Sequence, residues 1–325
     1  MRIFINGFGR IGRTILRQVL TDPAHSGVEI IGLNDIAAPE MCAYLFQYDS
    51  TFGPFPGPVS HGENWLEVAG RRLPLHRADD LRALDLSGVD VVLECTGIAR
   101  TSDVARRGLE AGAGRVLISG PSPAAETTIV LGGNDDQMGD ESILSNASCT
   151  TNAIVPLVAL LDQLWGVAQG HVTTIHCYTN SQPLVDAPRG SLSRSRAAAQ
   201  SMVPTSSSAL DLIDVILPHL AGRISGAAVR VPTVSVSAID LVVQTATPLG
   251  AEAMLQLEAA VDGHPLIGAT DMPLVSSDLR GRPESLVLAS PETRLIGAHQ
   301  VRLFGWYDNE WGFSARMLEM AARMV

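Results

Sequence analysis

The apolar positions of this chain change their pattern part-way along it. Up to about residue 148 they come as short unbroken runs: RIFIN at 2–6, the run at 28–33, VDVVLECTG at 89–97 and RVLISG at 115–120. Continuous apolar runs of this length are the mark of strands covered on both faces. Between the first two runs Ile11, Ile15, Leu16 and Val19 recur at helical spacing, and TSDVARRGLEAGAG at 101–114 reads as a second helix. Strand, helix and strand in alternation predict a Rossmann-type, doubly wound parallel sheet.

Beyond Cys149 the texture is different. A helix is predicted at 149–165, with Ile154, Leu157, Leu160 and Leu161 on its apolar face, followed by HVTTIHCYT at 171–179. A Ser-, Arg-, Pro- and Ala-rich segment at 178–203 leads into RVPTVSVSAIDLVVQTA at 230–246, whose partial alternation fits long half-exposed strands. A helix near AEAMLQLEAAV at 251–261 completes an α+β domain with a mostly antiparallel sheet, helices on one side and the other face free. The expected organisation is α/β overall: a dinucleotide-binding domain at 1–148 and a catalytic domain at 149–309. The helical 310–325 is expected to pack back onto the first domain.

Composition narrows the function. The 325 residues are 46% hydrophobic, enough for two cores. A net charge of −11 argues against nucleic acid or an anionic membrane as a general partner, though not against a local basic pocket. The chain has no lysine, so all 23 basic residues are arginine and an anion site must use guanidinium, hydroxyl or backbone N–H groups. Cys42, Cys95, Cys149 and Cys177 show no metal-ligand spacing, so no metal is expected, and the absence of a signal-like start makes a reduced cytoplasm the default. No apolar run approaches the roughly 20 residues needed to span a bilayer.

Gly7, Gly9 and Gly12 form G-x-G-x-x-G directly after the first strand and at the start of the first helix. The first glycine permits the turn, the second lets the backbone approach a pyrophosphate, and the third allows close helix-to-strand packing. An ordinary tight turn is the alternative. Asn34 and Asp35 favour the dinucleotide, because they end the βαβ unit about 20 residues on, where a carboxylate accepts from a ribose hydroxyl and repels a 2′-phosphate. NAD is therefore preferred to NADP.

SNASCTTN at 145–152 places Cys149 among small hydroxyl and amide residues at a helix start, with Ser148 as a candidate N-cap. A thiol there meets the positive end of the helix dipole, which predicts a lowered pKa and a reactive thiolate. A small residue packed at a domain junction is the alternative. His176 lies on the same strand face as Val172 and Thr174; alone such a histidine is ordinary structure, and paired with Cys149 it fits the imidazole of nucleophilic cysteine catalysis. Neighbouring Cys177 reads as packing. Arg230, amid apolar neighbours in AVRVPT, is either a surface arginine or a fixed guanidinium for phosphate, supported by the hydroxyls of TNSQ (179–182) and TSSS (205–208).

INGFGRIGR, NDI, FQYDSTFG, ECTG, SNASCTTN, RVPT and WYDNEWG occur in this order across nearly the whole chain. Together they resemble the phosphorylating glyceraldehyde-3-phosphate dehydrogenases and the related erythrose-4-phosphate dehydrogenases. The resemblance implies NAD as cofactor, a sugar phosphate and inorganic phosphate as small-molecule partners, and a homotetramer. It implies Cys149 as nucleophile and His176 as its base. Thr179, Ser181 and Arg230 match the site for the substrate's own phosphate, and Ser148, Thr150, Ser207 and Ser208 the inorganic-phosphate site. Cofactor contacts are implied at Arg10, Ile11, Thr96 and Ser119, beside Gly7, Gly9, Gly12, Asn34 and Asp35, with Asn309 holding the nicotinamide amide. Pro188 is similar to NAD-type members.

The chain departs from the family pattern at Ala153, where a second cysteine is common, at Ser181, at Ser207-Ser208 in place of Thr-Gly, and at Pro183. The expected reaction is NAD-dependent oxidation of glyceraldehyde 3-phosphate through a cysteine thioester that phosphate resolves. Erythrose 4-phosphate oxidation, with water resolving the thioester, is the near alternative. A non-catalytic thiol redox sensor on the same fold is the distant one, and a cysteine hydrolase leaves the glycine turn and Asp35 unexplained.

Overall fold

The structure is a computed structural model that describes residues 1–325, with Ser208 described by its backbone alone. The chain divides into two compact units. One comprises Met1–Ile129, Asp136–Ser148 and Ser314–Val325, the other Val130–Asp135 and Cys149–Phe313.

The first unit is built on strand Arg2–Asn6, whose last four residues are buried. Helix Arg10–Thr21 follows, burying Gly12, Ile15, Leu16 and Val19 on one face, and it ends where Pro23 denies the chain another helical turn. Strands Glu29–Asn34 and Val91–Glu94 lie parallel on either side of Arg2–Asn6. Their registers pair Asn6 with both Asn34 and Glu94, so three carboxyl ends meet where the strand order reverses. That is the position at which open α/β sheets bind ligands.

The nine-stranded sheet is not parallel throughout, as the sequence reading expected. Val59–His61, Trp65–Val68 and Arg71–His76 form an antiparallel excursion at one edge. Its two-residue turn puts Ala69 at φ 49° and Gly70 at φ 79°, the left-handed pair that matches the twist of a tight hairpin. The signal was present in the alternation of WLEV and RRLPLH on either side of Ala-Gly.

The second unit carries an eight-stranded, mostly antiparallel sheet. Val167–Cys177 lies between Ile224–Val231, which is parallel to it, and Ser237–Thr245, which is antiparallel. Along Gln300–Tyr307 buried Val301, Leu303, Gly305 and Tyr307 alternate with half-exposed neighbours, so one face is covered and the other open. Helix Cys149–Trp165 is buried on all sides from Thr150 to Val158, not along one stripe alone. A helix buried over its first nine residues after Cys149, its Thr150, Thr151 and Asn152 included, has no solvent face to offer there.

Candidate active site

Two places in the chain gather the expected residues, one in each unit. In the first, a cavity of about 310 Å³ is lined by Gly7, Gly9, Asn34, Asp35 and Thr96, together with Asn6, Ile36, Glu94 and Ile98. The glycines are there for space. A Cβ on Gly7 would lie 2.7 Å from the Cys95 carbonyl carbon, and one on Gly12 would lie 2.2 Å from the Gly7 oxygen. A Cβ on Gly9 would meet no heavy atom within 4 Å, and Gly9 caps helix Arg10–Thr21 with no side-chain hydrogen bond of its own. An open, uncapped helix N-terminus over a glycine turn suits a pyrophosphate, so the residues present fit a dinucleotide.

The polar walls of this cavity are fixed before any ligand arrives. Asp35 accepts from the Phe8 N–H at 2.7 Å and the Ala37 N–H at 2.9 Å, which latches the glycine turn and leaves lone pairs for a ribose. Asn34 donates to the Asn6 Oδ1 at 2.8 Å and to the Ala78 carbonyl at 3.0 Å. Buried Glu94, which the sequence reading overlooked, takes bonds from Asn6 and Thr96, and burial raises its pKa against those bonds. Its signal was its place at the end of a fully apolar strand. Arg10 turns its guanidinium to Asp49 and the Phe52 ring, so any cofactor contact there falls to its backbone. Ile11, Gly12 and Ser119 lie in the same unit outside the group lining the cavity, and Asn309 lies in the other unit.

In the second unit the first residue of helix Cys149–Trp165 brings its Sγ to 3.7 Å from the His176 Nε2. The sheet register sets His176 beside Arg230 on the parallel strand, with the Arg230 Nη1 at 2.6 Å from the His176 Nδ1. The Cys177 carbonyl closes this group, 2.6 Å from Nδ1 and 3.0 Å from Nη1. Arg230 is therefore a site residue, half-buried, and not a surface arginine. Tyr307, missed in the sequence, sets its ring edge-on to the imidazole at 6.0 Å and its phenol 2.9 Å from the Thr150 hydroxyl.

The expected lowering of the Cys149 pKa is corrected by this environment. Burial raises it, outweighing Arg230 and the Thr150 groups that pull it down. Burial and then the Arg230 charge push the His176 imidazole down to about 4. Burial thus disfavours the charged form of each group, and the thiolate forms as the proton crosses to the ring during attack.

The expected phosphate ligands are only partly gathered. Thr179 and Ser181 set exposed hydroxyls 2.9 Å apart. The Thr150 hydroxyl is buried and engaged by Tyr307 and by the Cys149 sulfur. Ser207 caps helix Ser208–Ile216, accepting from the Ala209 N–H at 3.3 Å. The Ser208 side chain lies outside the described residues, and Ser148 belongs to the first unit. Arg194, also missed, donates to the Thr205 hydroxyl at 2.6 Å and the Ser206 carbonyl at 2.7 Å, and its charge acts on Arg230. In a chain without lysine, an arginine inside a serine-rich segment was the available clue. Cys177, read as packing, donates its thiol to the Asn309 Oδ1 at 3.2 Å.

Comparison with known proteins gives the family. Residues 1–102 match the glyceraldehyde 3-phosphate dehydrogenase NAD binding domain and residues 148–309 the C-terminal domain of the same family. The chain belongs to the glyceraldehyde-3-phosphate dehydrogenase family. It is 42% identical to glyceraldehyde-3-phosphate dehydrogenase of Pseudomonas aeruginosa over 100% of this chain and 98% of that one. The Cereibacter sphaeroides glyceraldehyde-3-phosphate dehydrogenase is 41% identical over 100% and 98%. Glyceraldehyde-3-phosphate dehydrogenase 2 of Streptomyces arenae is 42% identical over 99% and 97%. No helix among the described residues is long and apolar enough to cross a membrane.

Proposed function

We propose that this protein is an NAD-dependent, phosphorylating glyceraldehyde-3-phosphate dehydrogenase, with its cofactor held by the 1–148 domain and its chemistry carried by the 149–309 domain. The observation that carries the reading is the 3.7 Å approach of the Cys149 Sγ to the His176 Nε2 at the start of a buried helix, with the Arg230 guanidinium alongside. Cys149 adds to the aldehyde carbon of glyceraldehyde 3-phosphate while its proton passes to Nε2, giving a hemithioacetal. The new oxyanion, held by the Cys149 N–H, takes that proton back from His176 and becomes the hemithioacetal hydroxyl. His176 then takes the hydroxyl proton as the C–H hydride departs. NAD, when bound, accepts that hydride. The thioester left on Cys149 is attacked by inorganic phosphate, releasing 1,3-bisphosphoglycerate.

Arg230 with Thr179 and Ser181 hold the substrate's phosphate, and Ser207, Ser208 and Ser148 serve the attacking phosphate. Arg194 joins them as the second guanidinium of the region. Asn309 orients the nicotinamide amide. The protein works as a homotetramer in the cytoplasm, a reading that rests on the family resemblance and that sedimentation of the purified protein tests.

The deciding experiment is NADH formation from glyceraldehyde 3-phosphate and from erythrose 4-phosphate, each with and without inorganic phosphate. The reading expects the higher kcat/KM for the triose and a requirement for phosphate in sustained turnover. Faster erythrose turnover without phosphate would replace it.

A further inference from the structure

A row of polar groups crosses the carboxyl ends of the strands that frame the cavity of the first unit. The registers set Asn6 level with Asn34 on one side and with Glu94 on the other, so the three side chains share one sheet face, and all three are buried. The Ala78 N–H donates to the Asn34 Oδ1 at 2.8 Å, and the Asn34 Nδ2 donates to the Ala78 carbonyl at 3.0 Å and to the Asn6 Oδ1 at 2.8 Å. The Asn6 Nδ2 donates to the Glu94 Oε2 at 2.5 Å. The Glu94 Oε1 accepts from the Thr96 N–H at 3.0 Å and from the Thr96 hydroxyl.

The direction of this row is fixed at both ends by backbone. A peptide N–H only donates and a peptide carbonyl only accepts, so Ala78 decides which end of the Asn34 amide faces it. Asn34 then offers its NH2 to Asn6, Asn6 answers with Oδ1, and the Asn6 NH2 is left facing Glu94. Beyond Glu94 the Thr96 N–H is again an obligatory donor. Residue 94 therefore has to accept on both sides. A carboxylate does this with its two oxygens, whereas an amide of the same shape accepts with one and sets an N–H against a donor with the other. An amide costs less to bury than a carboxylate, yet a carboxylate stands here, its burial offset by donors on both oxygens.

Resting on the reading of this cavity as an NAD site, we propose that Glu94 is a positioning residue for the cofactor: it ends a one-way row of hydrogen bonds that holds Asp35 and Thr96 at the spacing the adenosine half needs. Asp35 directly follows Asn34, and Thr96 is bonded twice to Glu94. The two lie on either side of strand Arg2–Asn6, and both line the cavity. The row thus ties one wall of the site to the other through side chains, where the strands themselves have ended. Reversing any one amide leaves its neighbour's donor facing a donor, so a fault at Glu94 is passed along to Asn34 and the residue after it.

The test is an exchange of polarity in the full-length protein. In Glu94→Gln the amide accepts from Thr96 or from Asn6 but not from both. Adding Asn6→Asp restores the match at unchanged net charge: the new carboxylate accepts from Asn34 and from the new amide, whose oxygen accepts from Thr96. Binding is measured by calorimetry with NAD and, separately, with ADP-ribose, which keeps the adenosine half and lacks the nicotinamide. Glu94→Gln is expected to weaken both about tenfold and to raise the KM for NAD without lowering kcat. The double variant is expected to return to within about threefold of wild type for both probes.

Unchanged NAD affinity in Glu94→Gln would overturn the proposal. A double variant no better than the single one would do the same, because charge at position 94 and not the direction of the bonds would then be what matters. So would a loss for NAD with ADP-ribose untouched, since the row serves the adenosine half, or a lower kcat at unchanged KM, the mark of a residue that only supports the fold. If wild-type protein binds no NAD, the cofactor reading itself fails, and that first titration tells the two failures apart. Should Glu94→Gln not fold, the double variant decides alone: folded and binding NAD near wild-type strength it upholds the row, and unfolded it overturns it.

Discussion

The cavity in the first unit and the cysteine cluster in the second solve opposite problems. Around the cavity three polar side chains are settled before a ligand arrives: Asn34 on Asn6 and Ala78, Asp35 on Phe8 and Ala37, Glu94 on Asn6 and Thr96. A dinucleotide meets a rigid backbone surface and displaces little. Around Cys149 the Arg230 guanidinium and the Cys177 carbonyl compete for one ring nitrogen, and burial disfavours the charged forms of thiol and imidazole. On the proposed reading the first region binds by being finished and the second reacts because it is not. Stored conflict at a reactive centre surrounded by a well-satisfied fold is a recurring arrangement.

The contrast breaks most severely at the sulfur. Cys149→Ser is expected to lower kcat/KM for glyceraldehyde 3-phosphate by about 10⁴-fold or more, since a hydroxyl beside a neutral imidazole is a far weaker nucleophile. Its NAD affinity should stay within about twofold of wild type, as measured by fluorescence titration, because the cavity residues are untouched. Substantial turnover in this variant would remove Cys149 from the reaction.

The rigid side yields next. Gly12→Val sets a Cβ where only 2.2 Å separates it from a backbone oxygen, and backbone cannot swing aside as a side chain does. A loss of about 3 kcal/mol in urea stability is expected, together with loss of NAD binding. A variant as stable as wild type would show the turn to be looser than the packing indicates.

Acid should sharpen the comparison from the other side. The folded His176 holds off protonation until about pH 4, whereas an unfolded histidine takes its proton near 6.5. The unfolded chain therefore binds the extra proton first as pH falls. The stabilisation from keeping this ring neutral is complete above about 6.5 and lost on the way down to about 4, amounting to about 3 kcal/mol. Urea midpoints at pH 7, 5.5 and 4 measure it. His176→Asn is expected to flatten that part of the slope, and an unchanged slope would mean the ring is not held neutral.

Asp35→Asn is the mildest change. It keeps the shape and removes the charge, so NAD affinity should fall about tenfold, near 1.4 kcal/mol, with NADP gaining relative to NAD. Equal loss for both cofactors would assign Asp35 to holding the Phe8 turn and not to the ribose.

Much of this was legible along the chain. G-x-G-x-x-G between an apolar run and a periodic helix announced the cavity, because each glycine answers a local backbone need that no other residue meets. Cys149 stood out through its hydroxyl neighbours at a helix start. The antiparallel excursion at 59–76 was not read, since its strands are short and half-exposed. Glu94, Arg194 and Tyr307 were passed over for another reason: each acts on residues distant in sequence, and nothing in its own neighbourhood marks the partner.

The sequence by itself determined the two sheet types, the glycine cradle, the place of the nucleophile and the family. Only the tertiary structure decided the direction in which burial shifts Cys149 and His176, the engagement of the Thr150 hydroxyl by Tyr307, and the contest at Nδ1. Element type follows from local propensity and periodicity, which neighbouring residues carry with them. Charge state and tautomer follow from desolvation and from contacts a few ångströms long, and these exist only once the register of Val167–Cys177 against Ile224–Val231 has set His176 beside Arg230.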